Sequence, residues 1–468
     1  MSGQGEEDGR LYAPTGSAAV GAATGLAWLW RLGPVLDEPD PRAVGFGGEE
    51  EAAELAALVQ AGRLAGAVIF APDPGPASAP LPERRLATGV AAFDGGIRLD
   101  GEFTLLDDGE PLLRSSLGTH AAIVDRRVLV LAVDAASAWT LLRGYWALDA
   151  LARFLPDVLE RPLVLLPPVG CVRLDDVPGT AQHQAQGDDH SDSRQLRRIR
   201  SLARAYRRGD AVLNIAVAAR ALDPDQAELP LEDVWPRSVA ALAEGVGAGV
   251  FEPVGHGYLH LDTEALAEGE IEFREFARLD EEEAGRRIDA VLAWQEKVLG
   301  RRPRTFVAPA WGYSEGTLAA AAARSLHSWR RPDPGPLHRG WDVHETIDSA
   351  FRGLRGLDYG AFAAMAGAGL PPTPVLHGGL FDLRMGQLRA ARDLPGLVRL
   401  FLRRDVVRLP GLRGLRWIGV GALLDLLQAH EGVRVDGAEV RLGDAAGAYL
   451  IEPGGGPARP ARQLGFQA

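Results

Sequence analysis

Two adjacent carboxylates, Asp175 and Asp176, close the apolar run VGCVRL at 169–174 and are followed at once by Val-Pro-Gly. Neighbouring carboxylates repel each other and desolvate poorly, so a fold that keeps both must hold them with something. A bound cation would do so, taking one carboxylate as a ligand and leaving the other as a base. Asp-Asp before Pro-Gly is equally ordinary turn chemistry, and the pair alone does not separate the two readings. His256 and His260 stand four residues apart in VGHGYLHLD, directly after a strand-like run. That spacing would set two imidazoles on one face of a helical turn, where both can meet one metal. His377 ends the run PVLH and is followed by Gly378-Gly379. A lone histidine is commonly structural, yet this one falls where the rim of an active site would be.

These residues need elements to carry them, and the chain alternates strand-like and helix-like segments throughout. In the first 165 residues a helical pattern opens at 49–51 and stops near Gly62, followed by a strand at 65–72 and hairpin-like segments at 86–105. A strand at 126–134, a long apolar helix from about 137 to 155 and a strand at 161–168 follow. Such alternation predicts a three-layer α/β unit. It weakly resembles the glutamine-amidotransferase-like fold, without a nucleophile elbow or paired His-x-Glu, and is read as non-catalytic. From 166 to about 430 the alternation is better marked. Strands at 169–174, 211–217, 249–254, 305–311 and 374–379 carry the polar residues at their C-terminal ends, which is how α/β barrels assemble sites. A helix at 281–299 is stopped by Gly300, and Ser314 suits the N-cap of the next. The 38-residue tail, 431–468, has short strands and a Gly/Pro/Arg-rich end that is expected to be partly mobile.

Bulk properties narrow the classes. With 46% hydrophobic and 24% charged residues the chain is an ordinary folded protein. A formal charge of −13 argues against a surface that tracks nucleic-acid phosphates. One cysteine, Cys171, excludes an intramolecular disulfide framework and an all-cysteine metal cage. The start, MSGQGEEDGR, is acidic where a secretory leader is basic, and the apolar stretch 18–32 is too short and broken to span a bilayer. A cytoplasmic protein without a membrane partner is expected.

Taken in order, the motifs resemble those of the polysaccharide deacetylase (NodB-homology) superfamily, over roughly 166–430. RLDDVPG (173–179) is similar to the first motif, GHGYLH (255–260) to the second, FVAPAWGYS (306–314) to the third and PVLHGGLFD (374–382) to the last. The nearest likeness is to the branch with Asp-Asp-Val and His-Gly-Tyr motifs. The resemblance implies a distorted (β/α) barrel of the NodB-like type, preceded by the smaller α/β domain. It implies that Asp176, His256 and His260 hold one divalent ion, zinc by its ligand set, with cobalt, nickel or manganese as alternatives. Asp175 would be the general base and His377 the acid that protonates the leaving amine. Pro309, Trp311 and Tyr313 would line the substrate groove, the two aromatics stacking on a sugar ring or packing in the core.

The chain departs from the family pattern in three places. Gly257 stands where a Thr or Ser is usual, Gly378-Gly379 follows the last histidine, and the third motif lacks the arginine that pairs with the base, Arg304 lying out of register. Two functions are therefore carried forward. One is a metal-dependent deacetylase or amidase acting on an N-acylated sugar or related small molecule. The other is a catalytically weak relative that binds carbohydrate or a protein partner. The polar stretch holding His183, Asp188, Asp189 and His190 is read as a rim loop rather than a second metal site.

Overall fold

The computed structural model describes residues 10–33, 35–93, 98–125, 127–135, 145–181, 184, 191–223, 227–267, 272–330, 343–344, 369, 371, 373, 375–377, 415–436, 439–441, 448–454 and 459–460. The first unit is built on a nine-stranded sheet. Its strands run in the order 35–36, 10–12, 43–48, 66–70, 128–131, 118–123, 98–106 and 84–92, with 110–115 pairing beside 118–123. The first five are parallel and the rest antiparallel. Alternation along each parallel strand sorts the side chains between two faces. Val44, Phe46, Val68 and Phe70 pack with helices Val20–Leu29 and Tyr145–Leu159. Ala67, Ile69, Val128 and Val130 pack with helix Ala52–Gln60 on the other side. Because both faces are covered, the strands read as continuous apolar runs rather than as alternating ones. The three layers expected from the sequence are present.

The second unit is a seven-stranded parallel sheet curled into a half-barrel. Its strands are β1 (Arg173–Asp175), β2 (Leu213–Val217), β3 (Phe251–Gly255), β4 (Thr305–Phe306), β5 (His327–Arg330), β6 (Val343–His344) and β7 (Val375–His377). They lie in the order β6-β5-β4-β3-β2-β1-β7. Leu213, Ile215, Val217 and Phe251 face helices α1 (Asp192–Arg208) and α2 (Pro236–Gly247). Phe306 and Ala308 pack under α3 (Glu281–Trp294) and α4 (Glu315–Ala323), and Ser314 caps α4 by accepting from Thr317 N–H. Two strands differ from expectation. The run 169–174 breaks at Cys171, so that Val169–Gly170 pairs with Arg416–Trp417 and only β1 joins the barrel. The run 305–311 is a strand for two residues only, because Pro309 opens a short 3₁₀ turn, Pro309–Trp311.

A fifth helix, α5 (Val420–Glu431), closes the end of the sheet opposite the strands' C-termini. Its first-turn N–H groups have no intrahelical acceptors and find them in buried side chains near the starts of two strands. Asn214 Oδ1 accepts from Val420 and Glu252 Oε1 from Gly421, each at 2.8 Å. At its other end His430 donates through Nε2 to the Leu29 carbonyl of the first unit, at 2.8 Å. Arg31 reaches the Glu431 carbonyl, and the strand 449–451 pairs antiparallel with 163–165. The chain beyond 431 thus returns to the first unit and packs Val433, Val440 and Leu450 on Val164.

Burial pushes the His430 imidazole down to about 4, and does the same to His120, which sits between Phe93 and Phe103 with Ser115 Oγ 2.7 Å from Nε2. Both rings are neutral in the folded protein at pH values where an unfolded histidine, near 6.5, takes up a proton. Protons then favour the unfolded chain. Stability should fall as pH drops below about 6.5 and stop falling on their account below about 4, by up to about 3 kcal/mol for each ring. Urea midpoints at pH 7 and pH 5 check this, and His430→Gln, which can still donate to Leu29, should flatten the dependence. An unchanged slope in that variant would remove His430 from the account.

Candidate metal centre

Every candidate ligand lies at the C-terminal end of a barrel strand or just beyond it. Asp176 follows β1, His256 follows β3, and the two loops bring them together. The Nε2 atoms of His256 and His260 each lie 3.1 Å from the same oxygen, Oδ1 of Asp176. All three side chains are buried, and they are the only group of His, Cys, Asp and Glu among the described residues whose ligand atoms converge in this way. Ligands about 2.0–2.1 Å from one zinc-sized ion at near-tetrahedral angles stand roughly 3.0–3.4 Å from one another, so the separations fit. The donor chemistry fits as well, since two imidazoles and one carboxylate suit zinc and its first-row neighbours.

Each ligand is held differently. His256 Nδ1 lies 3.1 Å from the Val307 carbonyl, which can only accept, so with the proton on that nitrogen Nε2 offers its lone pair to a metal. The strand ends beneath it are tied by Gln295, buried in the π-helical turn after α3, whose Nε2 donates to the carbonyls of Val217 and Val254. His260 has no such support at its ring: Nδ1 is buried and has no hydrogen-bond partner among the described residues. Burial would push its imidazole down, but the Asp176 carboxylate beside it outweighs that and holds it above the usual histidine range. The backbone also departs from the commonplace here. Asp176 (φ 62°) and His260 (φ 63°) are left-handed, as are Ala310 (φ 49°) and Trp311 (φ 55°) in the third motif. Non-glycine residues adopt this region at some cost, and such residues cluster at functional sites.

The i, i+4 spacing of the histidines does not mark a helical turn. Residues 256–260 form a bent loop with Gly257 at φ 72°. What shapes it is Glu275, fully buried, whose Oε2 accepts from three successive N–H groups: Tyr258 (3.1 Å), Leu259 (3.2 Å) and His260 (2.8 Å). Arg287 Nη1 donates to its other oxygen at 3.1 Å. Burial pushes the Glu275 carboxyl up, with Arg287 and the His260 N–H pulling the other way. A side chain at 257 would meet Pro309 Cγ at 2.6 Å and Glu275 Oε2 at 2.8 Å, which accounts for glycine in place of Thr or Ser.

Asp175 lies outside the ligand cluster. Both its oxygens accept from Arg173, from Nε at 2.6 Å and Nη2 at 2.8 Å. The two residues are i and i+2 on β1, hence on one face of the strand. The guanidinium lies 4.6 Å over the Trp329 ring, and both charged groups are buried. Asp175 is thus paired with an arginine of its own strand and not with one from 306–314. Arg304, out of register in the sequence, is spent elsewhere, on Gly421 O and Asp425.

His377 ends β7 in direct register with Asp175, which puts its backbone at the same rim. Pro309 is buried against Gly257, and Trp311 is half-buried on the loop that follows β4. The Trp311 N–H donates to the Ala308 carbonyl. Tyr313 is tied into the wall instead of standing free in a groove: its hydroxyl accepts from Ala308 N–H at 3.0 Å and lies 2.9 Å from the Trp329 carbonyl. His183, Asp188, Asp189 and His190 lie outside the described residues. Sequence reasoning missed Arg173, Glu275 and Gln295. Arg173 had a signal, its i, i+2 relation to Asp175 on a strand, whereas Glu275 and Gln295 act through backbone groups and had none.

No family model matches the chain, and no curated protein does. Among solved structures, a family 4 carbohydrate esterase from Streptomyces lividans in complex with acetate aligns over 54% of this chain and 92% of its own, at 13% identity and a TM-score of 0.30. A family 4 acetyl xylan esterase from Clostridium thermocellum in complex with a cobalt ion aligns over 55% and 91%, at 14% identity and 0.30. A CE4 family pseudoenzyme from Bacillus anthracis aligns over 55% and 66%, at 9% identity and 0.31. At TM-scores this low the likeness is one of outline and carries no functional weight. Among the described residues, no helix is long and apolar enough to cross a membrane.

Two outcomes are expected of the site. Purified protein reconstituted with a divalent ion should hold about one per chain by elemental mass spectrometry, and His256→Ala or Asp176→Ala should lose it while staying folded. Arg173→Met should cost about 3–5 kcal/mol in denaturant unfolding by removing the guanidinium fork from the buried Asp175 carboxylate. Adding Asp175→Asn should restore much of that loss, and strict additivity in the double-mutant cycle would show the pair to be uncoupled.

Proposed function

We propose that the chain is a metal-dependent hydrolase that removes an acyl group from an N-acylated sugar or a related small molecule. The observation that carries this reading is the meeting of two histidine Nε2 atoms on one Asp176 oxygen, at the C-terminal ends of parallel strands. Asp176, His256 and His260 would hold the ion, which supplies Lewis acidity towards a water molecule and the acyl carbonyl. Asp175 is the base that takes a proton from the attacking water, its carboxylate kept in place by the Arg173 fork. His377, in register with it, gives a proton to the leaving amine, which otherwise departs poorly. Because the Trp311 N–H is already committed, the N–H of Ala310 is the better donor to the developing oxyanion. Pro309 and Trp311 form the groove wall, and Tyr313 braces it. On this reading residues 1–165 are an accessory domain, 166–430 the catalytic domain and 431–468 an extension.

The Asp175 geometry also favours a second reading. Both oxygens are occupied by Arg173 and the group is 1% exposed, so a base so fully engaged suits a protein that binds without turning over.

The metal-loaded protein, offered N-acetyl sugars and matched acetate esters, should release acetate. Asp175→Asn should lower kcat by about 10²–10⁴-fold while the ion stays bound. Preference for amide over ester fixes the reaction type. A metal-loaded wild type that binds N-acetyl sugars without hydrolysing them, or any ester, would replace the first reading with the second.

A further inference from the structure

The two histidines of the site are oriented by different means. His256 is fixed at its ring by the Val307 carbonyl, whereas the ring of His260 has no hydrogen-bond partner at Nδ1 among the described residues. Apart from its Nε2 contact with Asp176, the direction of the His260 side chain is then left to its backbone. That backbone is left-handed, and the N–H of His260 makes the shortest of the three bonds that converge on Glu275 Oε2. We propose that Glu275 is the positioning residue of the metal centre: it gathers the N–H groups of Tyr258, Leu259 and His260 into one turn and so aims His260 Nε2 at Asp176. The inference rests on the reading of Asp176, His256 and His260 as an ion's ligands.

Three consecutive N–H groups directed at one oxygen form a small anion-binding concavity, and in this protein the anion is a side chain. A loop of this shape, bent at Gly257 (φ 72°) and His260 (φ 63°) with three N–H groups facing inward, would otherwise bury unsatisfied donors. A neutral acceptor could satisfy one or two of them, but a carboxylate takes all three and is itself held by Arg287. Arg287 in turn is fixed by Glu283 one turn earlier on α3, at 2.6 Å. The chain of contacts therefore runs from a regular helix through Arg287 and Glu275 to the ligand's backbone. Gly257 belongs to the same device, since any Cβ there would displace the carboxylate. Glu275 touches no ligand atom. Its effect would be felt in how tightly and in what geometry the ion is held.

The test uses the full chain and Co²⁺, whose visible spectrum reports coordination. Glu275→Ala should lower Co²⁺ affinity, read by competition with a chromophoric chelator, by roughly 10–100-fold and change the visible band shape. Glu275→Gln, which keeps one acceptor oxygen, should lose less and is the variant to use if the alanine does not fold. Arg287→Lys, which preserves the charge without the fork, should fall between wild type and Glu275→Gln. A folded Glu275 variant with wild-type affinity and an unaltered spectrum overturns the proposal and leaves the metal reading intact. A wild type that binds no Co²⁺ overturns both.

Discussion

Two carboxylates next to each other in sequence are buried at the end of one strand, and a buried charge is tolerated only when something opposite and well aimed meets it. Most of the second unit follows from how that demand is met. Asp175 keeps to the strand's alternation and finds its counter-charge two residues back, on the same face, in Arg173. Asp176 cannot use the same partner. Its backbone turns left-handed, which swings the carboxylate away from its neighbour and towards the loop after β3. The two aspartates are thus separated by conformation: one is neutralised by a permanent cation, the other is presented to a pair of imidazoles. A permanent cation on both would leave no ligand, and imidazoles on both would leave no separate base. The difference between the two aspartates lies in their pairing and would be invisible in a list of residue types.

The imidazoles carry the second half of the constraint. A metal ligand must be held with its lone pair aimed and its proton elsewhere. If His256 is a ligand, this is done through the ring, by the Val307 carbonyl just past β4. For His260 it would be done through the main chain, by the Glu275 carboxylate held from α3 by Arg287. Both supports are buried, and both connect the loop to regular elements, β4 in one case and α3 in the other. Gln295 adds a third tie, across β2 and β3, from the same helix as Arg287 and just beyond its end. Helix α3 is therefore more than a layer of the barrel, because Arg287 at its middle and Gln295 just past its end tie down the strand ends and the loop it covers.

Much of this was legible in the sequence, and what was not has a common cause. The parallel strands were visible because both faces of each sheet are covered and the runs are continuously apolar. The clustering of Asp176, His256 and His260 was visible because chemistry restricts such residue types, and Asp and His at strand ends are few. The bend of residues 256–260 was not, since an i, i+4 pair reads as a helical turn unless the acceptor that unwinds it is known. That acceptor is fifteen residues away and addresses backbone N–H groups, which leave no trace in the side-chain pattern. Asn214, Glu252 and Gln295 escaped for the same reason. Each is a polar residue in an apolar strand or helix end, and each satisfies main-chain groups of a distant element. Pairings between side chains can be guessed from type and spacing, as Arg173 with Asp175 could have been. Pairings between a side chain and a remote backbone cannot.

The same contrast separates the two ends of the half-barrel. At the end where the strands begin, Asn214 and Glu252 accept the first N–H groups of α5. At the end where they finish, four non-glycine residues, Asp176, His260, Ala310 and Trp311, are held left-handed. Conformations of that kind persist only where the surroundings over-determine them. Here the surroundings are the Glu275 carboxylate for the 256–260 loop, and for 309–311 the Tyr313 hydroxyl latched between the Ala308 N–H and the strand behind it. The left-handed residues of the rim are thus supported by neighbouring side chains that would do no chemistry themselves. Tyr313 fits this picture better as a brace than as a sugar-stacking surface. A hydroxyl bonded on both sides to main chain fixes the ring's position, and a wall so fixed can hold Trp311 and Ala310 where a substrate would meet them.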